Sequence, residues 1–388
     1  MKIKHLLMAA MALVLAGSIS SCKDDDPKEV IKEVEVIKEV TKEVEKIVEV
    51  QVKNNYTQYQ DAVNDNVAAN KKHEKVILLV AFGSTWQEAY EAFDATVVAY
   101  KEAFPEYDVF QSFSSAICIN RAAAGENVAP RNFYAPPFWL TAFAQDGIQY
   151  EEIVIQSLQV IPGEEYTRVI NYIKDFANNS NADLDDEYLS KVKLKLGVPL
   201  LQDYEVDVPA VANELHKIFK DRADEGVVAF MGHGNPDLYD TYKANIRYTQ
   251  LEEALQKLST NYFVGTVDMM DNFKTNVYAR MQTAGKTSGK VFCAPLMSID
   301  GDHGHNDMAG DDDDNWEEGK GFSPNKEGEV EDTSWKMYFQ HLGYECNDDT
   351  MIDKGLLEWP TILNIWMKHT KAAIAGEPLE FYHSKNPE

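Results

Sequence analysis

The stretch Val76-Ile77-Leu78-Leu79-Val80-Ala81-Phe82-Gly83-Ser84-Thr85 decides the fold. An unbroken apolar run, with no polar side chain alternating through it, marks a strand buried on both faces, the habit of a central parallel strand. Gly83-Ser84-Thr85 then makes a turn, and Tyr90, Phe93, Val97 and Tyr100 follow at helical spacing. This strand–turn–helix unit recurs along the chain. Strand-like runs at 109–113, 152–158, 192–196, 227–231, 262–267 and 290–296 alternate with helical patterns at 138–146, 164–176, 208–220, 251–258 and 273–284. Helices near 334–341 and 361–375 close the sequence. Such alternation predicts an α/β fold. A break at 196–208 divides it into two similar doubly wound parallel-sheet domains, 73–204 and 205–388, facing a central cleft. Ligands in such folds collect at the carboxyl ends of the strands.

The 388 residues are 44% hydrophobic, enough for a sizeable core, and carry a formal net charge of −27. No basic stripe interrupts that charge, which excludes nonspecific nucleic-acid binding. The first 22 residues read as an export signal: Lys2 and Lys4, an apolar run over 6–16, then Ile19-Ser20-Ser21-Cys22. The last four resemble a bacterial lipobox, with Cys22 as the lipid attachment site. Lys23-Asp24-Asp25-Asp26 behind it resembles an acidic surface-export signal. The expected location is the cell envelope, with the chain lipid-anchored on the periplasmic side or at the outer-membrane surface.

Residues 23–72 form a charged Lys-Glu-Val stalk or linker. Val30, Val34, Ile37, Thr41, Val44 and Val48 follow heptad spacing, the pattern through which a coiled coil would pair copies of the chain. The remaining cysteines, Cys118, Cys293 and Cys346, form no CxxC pair. One disulfide among them is compatible with an oxidising compartment, and the sequence does not choose the pair.

The chemistry is expected in the turns after the strands. Val227-Val228-Ala229-Phe230-Met231-Gly232-His233-Gly234-Asn235 delivers one imidazole between two glycines, which leave room for close approach. An imidazole there can coordinate a metal or accept a proton near neutral pH. A second polar turn is Gly301-Asp302-His303-Gly304-His305-Asn306-Asp307-Met308-Ala309-Gly310. His303 and His305 could supply a further imidazole, and their two-residue spacing puts both on one side only in an extended segment. Trp86, Tyr134, Phe138 and Trp316 are candidates to stack on a flat ligand or to pack in the core or rim. Asp311 to Asp314, with Glu317 and Glu318, read as a solvated acidic loop rather than an EF-hand.

Five pieces of the chain, in order, resemble the anaerobic sirohydrochlorin cobaltochelatases, class II chelatases related to the protoporphyrin ferrochelatases. The pieces are Ala81-Phe82-Gly83-Ser84-Thr85; Val154-Ile155-Gln156-Ser157-Leu158 with Pro162-Gly163-Glu164-Glu165-Tyr166; Phe230-Met231-Gly232-His233-Gly234; Val264-Gly265-Thr266-Val267; and Gly301-Asp302-His303 with Asn306-Asp307-Met308-Ala309-Gly310. They span roughly residues 75–375. The resemblance implies Co2+ as substrate metal, a tetrapyrrole as the other substrate, no organic cofactor, and a place in cobalamin-type biosynthesis.

It also implies a metal site of two histidines and a glutamate. His233 matches one histidine. Gln159 stands where the family has the other, and a glutamine cannot act as a base near pH 7. Glu205, with Asp203 close behind, is the match for the acidic ligand, and His303 is the further metal candidate. Ser84, Thr85, Gly232 and Gly234 are expected against the substrate. Two further readings of the same cleft are a non-catalytic envelope lipoprotein that binds or scavenges haem or another tetrapyrrole, and removal of metal from a captured ring.

Overall fold

The computed structural model describes residues 59–125, 128–180, 184–236 and 238–381. Every strand expected from the sequence is present: β1 (Lys75–Ala81), β2 (Asp108–Phe113), β3 (Glu152–Ser157), β4 (Lys193–Gly197), β5 (Gly226–Gly232), β6 (Tyr262–Thr266) and β7 (Lys290–Pro295). They form two separate parallel sheets, ordered β2-β1-β3-β4 and β6-β5-β7. Each sheet places its first strand centrally, so the unbroken apolar runs of β1 and β5 sit where both faces are covered.

The period-2 geometry of a strand sends alternate residues to opposite faces. Ile77, Leu79 and Ala81 enter one cluster with Tyr90 and Phe93 of the helix Gln87–Ala103. Val76, Leu78 and Val80 enter another with Leu140 and Phe143 of Pro136–Phe143 and with Val169 and Ile173 of Glu164–Ala177. In β5, Val228 and Phe230 join the first cluster, whereas Val227, Ala229 and Met231 pack with Trp335 and Phe339 beneath Trp335–His341. The first cluster therefore holds residues of both sheets, and both lie in one compact unit that begins at Tyr59. Each fully buried large side chain contributes roughly 1.5–3 kcal/mol of transfer free energy.

The last helix, Pro360–Ala375, returns to the first sheet across the expected break. Thr370 Oγ1 donates to Gln156 Oε1 on β3 at 2.7 Å, and the Leu379 N–H donates to the Leu194 carbonyl at 2.8 Å. His369 Nε2 meets Asp207 Oδ1 of the helix Asp207–Glu225 at 3.0 Å.

Residues 59–70, expected as linker, form a helix that buries Val63 and Val67 against the first sheet, and the helix Ala116–Ala124 was likewise not expected from the hydrophobic pattern. The signals of the latter are at its ends: the Ser115 side chain accepts from the Cys118 N–H, and Gly125 stops it in the left-handed conformation. The lipobox, Cys22 and the heptad stalk over 28–52 lie outside the described residues. Among the described residues, no helix is long and apolar enough to cross a membrane.

Candidate functional site

The turns after β1, β2, β3, β5 and β7 line a single cavity of about 260 Å³. Its wall includes Phe82 to Thr85, Ser115, Cys118, Arg121, Gln159, Glu165, His233, Gly234, Asn235 and residues 296–299 and 301–303. The cleft thus sits at the carboxyl ends of strands from both sheets, where an α/β fold leaves loops and exposed backbone for a ligand.

His233 leaves the end of β5 on a tightly constrained turn. Gly234 has φ +81°, a conformation that favours glycine. At Gly232 an added Cβ would lie 2.4 Å from the Tyr248 ring, and the Tyr248 hydroxyl accepts the Gly234 N–H at 3.3 Å. Tyr248 is fully enclosed, so only a residue without a side chain fits beside it. The role of Gly232 is therefore close packing behind the imidazole. It does not line the cavity, whereas Ser84, Thr85 and Gly234 do.

The second imidazole at the cavity is His303. It begins one turn of π-helix, His303–Met308, an irregularity frequent at functional sites. The His233 and His303 ring centroids lie 4.8 Å apart, edge to face. His233 Nδ1 is 2.8 Å from the Gly234 carbonyl and 3.4 Å from Asp268 Oδ2. His303 Nδ1 is 2.5 Å from Asp307 Oδ2, one helical turn further on. In both rings Nδ1 is engaged, and neither Nε2 has a hydrogen-bond partner among the described residues. Metal-binding histidines are oriented in this way, with one ring nitrogen held by a carboxylate or carbonyl and the other presented to the ion.

The two rings are electrostatically distinct. The His233 side chain is 41% accessible, but to a walled cavity rather than to open surface. Burial lowers its pKa below the usual 6.5 and His303 pushes the same way; the Gly234 carbonyl, Asp268 and Asp307 offset this only in part. At His303 burial acts downward too, yet the hydrogen bond and charge of Asp307, with Asp268 and Asp302, outweigh it and hold the pKa above 6.5. One imidazole is therefore kept neutral beside another that protonates readily. Pushing adjacent groups apart is how a site separates a base from a proton reservoir. Behind them Glu329 is pushed up to about 7, by burial first and also by Glu331, Asp268 and Asp307, against the opposing pull of Lys274.

The other candidates fall elsewhere. His305 turns away from His303, because the segment is coiled rather than extended, and stacks on Trp86 at 3.8 Å. Gln159 is buried on the cavity wall, but its Oε1 is taken by the Ser157 hydroxyl, so its carbonyl is not presented to a metal. Its Nε2 is buried without a partner among the described residues, an orphan donor of the kind a bound ligand satisfies.

Glu205 is exposed and outside the cavity lining. Asp203 accepts the Glu205 and Val206 N–H groups, so this turn prepares the helix Asp207–Glu225 and brings no carboxylate to the imidazoles. The acids that do reach them are Asp268, just after β6, and Asp307, four residues past His303. A strand end followed by an acid, and an i,i+4 pair, were the sequence signals for each. Among the described residues, no group of three or more His, Cys, Asp or Glu side chains is gathered to hold an ion on its own. The two-imidazole arrangement leaves the remaining positions around a metal to other donors.

Among the proposed stacking aromatics, Trp86, Tyr134, Phe138 and Trp316 do not line the cavity. Tyr134 and Phe138 pack with Tyr59, and Trp316 stacks on His341 at 3.9 Å. Phe82, 36% exposed, lines the cavity together with the apolar side chains of Ile117, Val160, Ile161 and Leu296. In the acidic loop, Asp311 pairs with Lys336 at 2.8 Å and Asp313 with His341 at 3.2 Å.

A family model described as cobalt chelatase (CbiK) matches residues 75–325. The chain is 26% identical over 310 residues to "Sirohydrochlorin cobaltochelatase CbiKC" of Nitratidesulfovibrio vulgaris, with 78% of this chain and 92% of the relative covered. It is 27% identical over 308 residues to "Sirohydrochlorin cobaltochelatase" of Salmonella typhimurium, covering 78% and 97%. Among solved structures, SirB from Bacillus subtilis with Fe3+ matches at a TM-score of 0.46 and 15% identity, over 78% of this chain and 96% of that one.

Proposed function

Because the chain belongs to the cobalt chelatase (CbiK) family, we propose that it inserts Co2+ into sirohydrochlorin in the cleft where His233 and His303 meet. The reaction is a lyase-type chelation with a tetrapyrrole and a divalent metal as substrates. Two ring N–H protons must leave as the metal enters, and the metal must exchange water for ring nitrogens.

The observation that carries the assignment is the pair of imidazoles, each held through Nδ1 and each with Nε2 unpartnered among the described residues. His233, kept neutral by burial, suits coordination of the incoming ion and removal of a ring proton. His303, with its raised pKa, suits holding that proton and passing it towards Asp307. Arg121 on the wall supplies a cation for the carboxylate periphery of the ring, and Phe82 an apolar face. The orphan Nε2–H of Gln159 suits a hydrogen bond to the ring rather than to the metal. The cobaltochelatase relatives favour insertion over a purely capturing role.

The test uses the purified full chain with sirohydrochlorin and Co2+, followed by absorbance. His233→Ala should lower the rate of insertion ~10²-fold or more, the size of a lost general base. An unchanged rate in that variant would remove His233 from the chemistry.

Two further readings rest on the amino-terminal sequence. Anchoring to an envelope membrane through Cys22 is supported by the lipobox resemblance, and self-association by the heptad spacing of the stalk. Metabolic labelling with palmitate should mark the chain and fail to mark Cys22→Ser. Light scattering should give a lower mass when residues 28–52 are removed.

A further inference from the structure

Two turns from different sheets meet beside the cleft. The turn after β1 carries Trp86, and the turn after β7 carries the π-helical segment His303–Met308. The Trp86 indole stacks on the His305 imidazole, with ring centroids 3.8 Å apart and planes 21° from parallel. Trp86 Nε1 donates to Asp302 Oδ1 at 3.4 Å, and Asn306 Nδ2 donates to the same oxygen at 2.9 Å. The two backbones are close as well: a Cβ on Gly301 would lie 3.1 Å from Ser84 Oγ, which accepts the Trp86 N–H at 3.2 Å. Neither Trp86 nor His305 lines the cavity, although Phe82 to Thr85 and Gly301 to His303 do. The stack therefore sits outside the wall and joins its two sides.

The π-helical segment works in two directions. Asp302 and His305 hold Trp86, whereas His303, tied to Asp307 one turn on, faces the cavity and meets His233. A single helical turn does not fix its own direction, since so short a helix is marginal on its hydrogen bonds alone. Its direction comes from what it packs against. Met308 enters the core of the second sheet, and Gly304 lies so close to Asp300 that a Cβ there would overlap Oδ1. Trp86 reaches the segment from the first sheet. It is itself fixed, because it caps the helix Gln87–Ala103 and its carbonyl accepts the Tyr90 N–H at 3.2 Å. Among the described residues no side-chain hydrogen bond orients the His305 ring: its Nε2 is buried without a partner, and Asp300 Oδ2 is 3.9 Å away. The indole face sets the plane of that ring.

We propose that Trp86 is a positioning residue for His303: by gripping Asp302 and His305 it holds the imidazole between them at its distance from His233, and it makes that distance depend on the first sheet's side of the cleft. The inference rests on the metal site assigned above to His233 and His303. It adds a residue that touches neither the metal nor the ring.

The full chain is titrated with Co2+ alone. Calorimetry gives the affinity, and the visible absorbance of the bound ion reports the arrangement of its donors. Trp86→Leu should bind Co2+ ~2–10-fold more weakly, the size of a lost aromatic pair, and with a changed absorbance. Trp86→Phe, which keeps an aromatic face for His305, should restore most of that affinity. His305→Ala should resemble Trp86→Leu, and the double variant should be no worse than either, since one contact is removed twice. With sirohydrochlorin present, Trp86→Leu should lower kcat ~10-fold or more at an unchanged KM, because the indole is outside the cavity while the imidazole is displaced. His303→Ala is the reference. Should it weaken Co2+ binding while Trp86→Leu keeps the wild-type affinity and absorbance, this inference falls and the metal site stands. Should His303→Ala leave Co2+ binding intact, the metal site falls and takes the inference with it.

Discussion

Asp300 is a carboxylate that the fold holds in an unfavourable place, and replacing it with asparagine should flatten the loss of stability at high pH. Its side chain is 2% exposed, and among the described residues neither oxygen has a hydrogen-bond partner. His305 Nε2, 3.9 Å away, is too distant to bond. Burial first, then the charges of Asp353, Glu358 and Glu88, push the pKa from 3.8 to about 7, and the nearby Gly301 N–H gives only partial relief. The folded pKa lies above the unfolded one. Its contribution is therefore intact below about pH 4 and is lost as pH rises through about 7. A gap of about 3 units at ~1.4 kcal/mol each amounts to about 4 kcal/mol at pH 8, of which roughly 2–3 kcal/mol accrues between pH 5 and 8.

Thermal melts of wild type and Asp300→Asn at pH 5 and pH 8 measure this. For a chain of this size ~2 °C accompanies each kcal/mol. The wild type should thus lose ~4–6 °C more than the variant over that interval. Equal losses in the two proteins would mean that Asp300 is solvated or paired in the folded state, and the reasoning from burial would fail.

Other outcomes follow from the same geometry. Gln159→His places a third imidazole on the cavity wall; cobalt insertion should be ~10-fold faster or more, measured by absorbance, and an unchanged rate would show that this position does not limit the chemistry. Co2+ affinity without tetrapyrrole, followed by calorimetry, should rise with pH through the elevated His303 pKa, because both imidazoles coordinate only when neutral. Asp307→Asn removes the partner that raises that pKa and should move the rise to lower pH; a profile insensitive to this change would separate His303 from the metal. Gly232→Ala drives a Cβ into the enclosed Tyr248 ring and should cost ~1–3 kcal/mol, read as a lower melting temperature; an undiminished value would mean that the turn relaxes freely.

The strands were legible because burial on both faces leaves a one-dimensional trace. β1, β3, β5 and β7 are unbroken or nearly unbroken apolar runs ending in turn residues, and no tertiary knowledge is needed to see them. The helix Ala116–Ala124 was harder, since its capping residues, not its periodicity, define it. The position of His233 was legible for a related reason: an imidazole between glycines at a strand end has no bulky neighbour, and it does line the cavity. Gln159 was placed correctly on the cavity wall, but which of its atoms faces inward depends on the Ser157 hydroxyl, a contact that residue order does not specify.

Local order along the chain thus carried the α/β alternation, the strand-end location of the chemistry and the first imidazole, because backbone periodicity and turn chemistry are short-range properties. The choice between His303 and His305, and the replacement of Glu205 by Asp268 and Asp307 as the acids beside the imidazoles, were not contained in that order. Each depends on side chains brought together from distant strands, or on one irregular helical turn. Where such a turn points is set by packing against the rest of the core, and distance through the fold rather than distance along the chain fixes which charges interact.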